Sequence, residues 1–122
     1  MLYIFSAITA LLLATAQSLW KTSTNNFPEY TKNGLTLFQA AIKVLFSLHF
    51  ISGAFLYIIA TLIYLWMFSN YSFYAVQISI VSFAIIFSFL ISHFVFKETA
   101  NLTNYLGIPL ILLGVLLIIW KR

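Results

Sequence analysis

The chain has 122 residues and a net charge of +4; 63% of them are hydrophobic, only 7% are charged, and the two acids are Glu29 and Glu98. A soluble domain of this length would need a charged, solvated surface that this composition cannot supply, so the expected class is an integral membrane protein with no separate catalytic domain. Cysteine is absent, which excludes disulfides, thiolate catalysis and thiolate metal sites, and the positive charge is spread over loop ends rather than clustered, which argues against nucleic acid and suits anionic lipid headgroups.

A bilayer-spanning helix needs about 20 apolar residues at 1.5 Å rise. Four such runs predict an all-α integral membrane bundle of four transmembrane helices, a single domain over residues 1–122 with spans at 2–20, 44–68, 73–96 and 102–120. In the first run Ala14-Thr15-Ala16 has the small-x-small form of a signal-peptidase site. No Lys or Arg precedes Lys21, as a secretory signal would require, so the run is read as a retained helix. Ser6, Thr9 or Ala10, Leu13, Gln17 and Trp20 then share one face. Gln17 carries donors and an acceptor that need a partner in another helix or in a ligand headgroup, and Lys21 sits one turn beyond, where an ammonium reaches the interface.

Residues 22–26, with Pro28, read as loop. After them Leu35, Phe38, Ile42 and Leu45 recur at helical spacing with Gln39 and Lys43 off the stripe, which predicts a helical approach lying partly in the interface. His49 falls one turn inside the expected second span, where it reads as a hydrogen-bonded structural residue. Ser69-Asn70-Tyr71-Ser72 makes a tight connection, so the second and third spans are expected to be antiparallel neighbours. The third carries Ser79, Ser82, Ser88 and His93 among small residues that let helices approach. Glu98 is expected to anchor the last hairpin beside Lys97. In the fourth span Gly107 and Gly114, two helical turns apart, mark a face for another helix, most simply one from a second protomer. Lys21, Lys32, Lys43 and Lys97 fall on one membrane side and Lys121 and Arg122 on the other, which favours the first side as cytoplasmic.

The run from Gly107 to Ile119, GIPLILLGVLLII, resembles the dimer motif in the fourth helix of small multidrug resistance proteins, and the chain is similar to the minimal four-helix members of the drug/metabolite transporter superfamily. Those exporters carry a membrane-embedded Glu eight residues before a Lys at the end of the first helix; here that position is Leu13. With no acid in any span, a hydrophobic cation would lack its counter-charge. Ala16-Gln17-Ser18-Leu19-Trp20-Lys21 and Phe96-Lys97-Glu98 more nearly resemble motifs of the small inner-membrane subunits that flip undecaprenyl-phosphate-linked aminoarabinose. That resemblance implies a non-enzymatic, cofactor-free translocator of a polyprenyl-phosphate-linked sugar in a bacterial plasma membrane, acting as a homodimer or heterodimer. The headgroup site is expected at Gln17, Lys21, Ser79, Ser82, Ser88 and His93, with no metal. The alternatives are a small multidrug or metabolite exporter and a non-transporting accessory subunit, for which the same helices are packing surfaces.

Overall fold

The computed structural model describes residues 1–120, and the orientation argument from Lys121 and Arg122 lies outside them. The described chain is helical, in the order α1 (Leu2–Thr24), α2 (Phe27–Lys32), α3 (Leu37–Leu45), α4 (Leu48–Asn70), α5 (Phe73–Phe94) and α6 (Leu102–Trp120). Helices α1, α4, α5 and α6 are each long and apolar enough to cross a bilayer, and the chain is a multi-pass membrane protein.

Local chemistry sets the boundaries. Gly34, at φ +86°, takes the left-handed turn that separates α2 from α3. Thr36 and Gln39 form a reciprocal capping box at the start of α3, with Gln39 N–H donating to Thr36 Oγ1 at 3.3 Å and Thr36 N–H to Gln39 Oε1 at 3.1 Å. The expected second span, 44–68, differs at its start. Ser47 is extended and caps a new helix by accepting from Phe50 N–H at 3.2 Å, so α3 is a separate element and the span begins at Leu48. His49 therefore lies in the first turn of α4, exposed, rather than one turn inside a span. The third span ends at Phe94, two residues short of expectation. Beyond it Phe96 N–H donates to Ile91 O and Glu98 N–H to Ser92 O, a widened last turn closed by Lys97 at φ 53°.

Helix α1 is the centre of the bundle, packed against both α4 and α5. Trp20, near its end, stacks on Phe50 and Tyr57 in the first half of α4, while Phe5, near its start, meets Trp66 in the second half, so the two helices are antiparallel. Lys21 reaches Phe96 and Glu98 beyond the end of α5, so α1 and α5 run in the same direction. The buried residues of α1 are all small: Ser6, Thr9, Ala10, Ala14, Ala16 and Ser23. That suits lipid, where apolar tails give no premium for burying apolar side chains and helices associate by close van der Waals contact.

The closest approach is at Gly53 of α4. A Cβ there would stand 2.8 Å from the Trp20 ring and 2.9 Å from the Ala16 carbonyl oxygen, so only glycine fits. Trp20 Nε1 also donates to Phe50 O at 3.2 Å across the same seam.

The second and third spans are antiparallel, as expected, but neighbours only in part. Phe68 and Phe73 stack with centroids 5.2 Å apart beside the connection, and away from it the helices diverge because α1 occupies the space between them. Helix α6 lies against α5 and buries none of its residues.

Candidate functional site

The codirectional packing of α1 and α5 brings their ends together at the membrane side that holds the α2–α3 segment. There Gln17, Ser18 and Lys21 of α1 face Ser88 and Ser92 of α5, with Phe96 and Glu98 from the turn beyond, around a cleft of about 160 Å³. Lys21 Nζ makes an ion pair with Glu98 Oε1 and stands 4.4 Å from the centroid of the Phe96 ring. Ser92 Oγ donates to the other carboxylate oxygen of Glu98. Hydrogen bonding from Lys21, and then from Ser92, holds the Glu98 carboxyl below its ordinary range, so this carboxylate is ionised at neutral pH. Both charged side chains are half-exposed, which leaves them within reach of water and lipid headgroups. Gln17 is exposed, and its carboxamide has no protein hydrogen-bond partner.

Glu98 therefore pairs with Lys21 and not with its sequence neighbour Lys97. The left-handed backbone at Lys97 turns the chain so that Glu98 comes back over the last turn of α5. Of the residues expected in a headgroup site, the cleft brings together Gln17, Lys21 and Ser88, and adds Ser92 and Glu98. Ser79 and Ser82 lie elsewhere. With Tyr3, Phe83 and the α6 residues Leu112 and Ile119 they line a separate apolar cavity toward the other end of the bundle. Ser79 is buried there, and Ser82 Oγ donates to Ile78 O at 2.7 Å within its own helix. His93 is exposed, stacked on Phe89 at 6.3 Å and edge-on to Phe94 at 5.2 Å, outside the cleft lining.

Gly107 and Gly114 are not used inside the chain, because a Cβ at either would meet nothing within 4 Å. Gly107 lines a groove of about 560 Å³ between α5 and α6, together with Ser88, Ser92, Thr103 and Asn104.

A second polar region had no counterpart in the sequence reading. Where α4 and α5 diverge, Tyr57, Thr61 and Tyr64 of α4 and Gln77 of α5 line a cavity of about 490 Å³ with Leu13 of α1. Tyr64 donates its hydroxyl hydrogen to Gln77 Oε1, bridging the two helices. The signal was available in the spacing, since Tyr57, Thr61 and Tyr64 recur at intervals of four and three on one helical face. The chain matches no protein-family model, no curated protein and no solved structure.

Proposed function

We propose that the chain is a membrane transporter that flips a polyprenyl-phosphate-linked sugar, or a related anionic lipid, across a bacterial plasma membrane, as a homodimer or with a similar small subunit. The observation that carries this reading is the meeting of Gln17 and Lys21 with Ser88, Ser92 and Glu98 in one cleft. Two short stretches far apart in sequence, 16–21 and 96–98, carry the resemblance to the aminoarabinose-lipid flippase subunits, and they contribute to the same cleft.

The chemistry follows from the groups present. Lys21 attracts an anionic phosphate at the interface, and the ionised Glu98 holds the ammonium in place until the phosphate competes for it. The unpartnered amide of Gln17 donates to phosphate or sugar oxygens, while the prenyl tail stays in lipid. A transported cation fits poorly, because the described spans contain no acid to act as counter-charge. The unoccupied Gly107 and Gly114 face is assigned to the second protomer.

The test is translocation of a fluorescent polyprenyl-phosphate sugar in reconstituted vesicles. Gln17→Leu keeps the bulk and removes the amide. It should slow flipping about tenfold, the equivalent of one charge-assisted hydrogen bond, with expression and dimerisation intact. Lys21→Glu should weaken capture of the anionic lipid more than Lys21→Arg does. Wild-type flipping by Gln17→Leu, or transport of toxic cations instead, would refute the reading.

A further inference from the structure

The cavity between α4 and α5 contains polar groups that the fold does not use. Gln77 accepts from Tyr64 through its carboxamide oxygen, and its two amide hydrogens have no protein partner. The Tyr57 hydroxyl has none either, although its ring is fixed by stacking on Trp20 at 5.2 Å. Thr61 donates to Tyr57 O at 2.8 Å, which leaves its oxygen free to accept. These groups lie on the membrane-spanning helices α4 and α5, Tyr57 and Thr61 near the middle of α4 and Gln77 one turn from the start of α5, where a donor facing hydrocarbon is costly.

The lining also limits what can fill the space. It contains no charged side chain, so a phosphate or an ammonium would be desolvated with no counter-charge. An alkyl chain would leave the Gln77 amide and the Tyr57 hydroxyl unsatisfied. A neutral, hydroxyl-rich ring satisfies them and offers its C–H faces to Tyr57 and Tyr64. At about 490 Å³ the cavity is of small-molecule size, and Tyr57, Thr61 and Val81 are exposed at its edge, so a lipid-anchored ring can reach it from the bilayer.

The cavity shares lining residues with a groove that in turn borders the headgroup cleft. Ser88 and Ser92 line both the cleft and the groove between α5 and α6, while Val81 and Ala84 line both that groove and this cavity. Along α5 the sequence Gln77, Val81 or Ala84, Ser88, Ser92 is one face at helical spacing.

We infer that Tyr57, Thr61, Tyr64 and Gln77 form a binding site for the neutral sugar of a glycolipid inside the membrane, separate from the charged cleft that takes its phosphate. The division of labour rests on the proposed transport of a phospho-sugar lipid; the site itself does not.

The experiment uses the full chain in nanodiscs with two photoreactive probes of equal chain length, a neutral alkyl glucoside and the matching alkyl alcohol. The glucoside should label peptides within residues 57–84 and the alcohol should not. Gln77→Leu with Tyr64→Phe should cut glucoside labelling about tenfold. Tyr57→Phe removes a hydroxyl with no protein partner, leaves the fold unaffected, and should cut labelling severalfold. Lys21→Gln should leave it unchanged. If the wild type flips no phospho-sugar but still takes the glucoside in a Gln77-dependent way, the transport reading fails and the site stands. Equal labelling by the two probes, or labelling indifferent to the Tyr57 and Gln77 variants, overturns the site. So does loss of self-association in those variants, which would assign the cavity to a second copy of the chain.

Discussion

Helices α1 and α6 are both apolar spans, yet they are held in opposite ways. Helix α6 is the most apolar of the four spans and buries no residue, whereas α1, the least apolar, sits between two partners with six small residues buried. In water the ranking would be reversed, because apolar area would set burial. In lipid an apolar side chain gains little by leaving the tails, and what seats a helix is the absence of bulk along one face. Hydrophobicity places these helices in the membrane, and small residues decide which of them touch.

The comparison is broken most directly at Gly53. Leucine there has no room against the Trp20 ring and the Ala16 carbonyl, and Gly53→Leu should cost about 3 kcal/mol, the upper end of the overpacking range, in reversible unfolding from mixed micelles. Gly114→Leu, the same substitution on α6, should leave that unfolding curve within about 0.5 kcal/mol of wild type. Its effect should instead be on assembly, read as a lower cross-linked dimer yield in nanodiscs. An undiminished dimer in the Gly107→Leu/Gly114→Leu double variant would exclude this face as the interface.

The smallest effect concerns the tie between the ends of α1 and α5. Glu98 titrates below its ordinary value of 4.5 in the folded chain, so the contribution of its ion pair is fully present above that value and is lost as the pH falls through the lower folded value. Glu98→Gln should therefore lower the thermal midpoint slightly at neutral pH and not at all in acid below the lowered folded value. A difference that persists in acid would mean that the side chain packs rather than pairs.

The four spans were legible because each is a long apolar run, a property of composition and length alone. The break at Ser47 was hidden inside such a run, since a serine cap looks like any small residue until the backbone before it is seen to be extended. Gly107 and Gly114 stood out by their spacing but meet nothing within the chain, while Gly53, beside Ser52 and Ala54, drew no notice and makes the tightest contact. In the headgroup cleft Gln17 and Lys21 were readable from one helix. Glu98, the partner of Lys21, was assigned to Lys97 because proximity in sequence gives no sign of a backbone that turns away at φ 53°. Tyr64 and Gln77 lie on different helices with no spacing to link them, and only the way α4 and α5 splay around α1 makes them a pair.

The central place of α1 also has a consequence for biogenesis. The ribosome delivers this helix before both surfaces it packs against, α4 and α5, so α1 must wait in the bilayer without them. Its own hydrogen bonds equip it to do so. Thr9 donates to Phe5 O, Thr15 to Leu11 O, Ser18 to Thr15 O and Thr22 to Ser18 O, each at 3.0 Å or less, so these four hydroxyls need nothing from a helix that does not yet exist. On the face that will receive α4 and α5, Thr9 is satisfied in this way, as is Ser23 through Trp20 O at 2.8 Å, while the buried Ser6 Oγ has no hydrogen-bond partner.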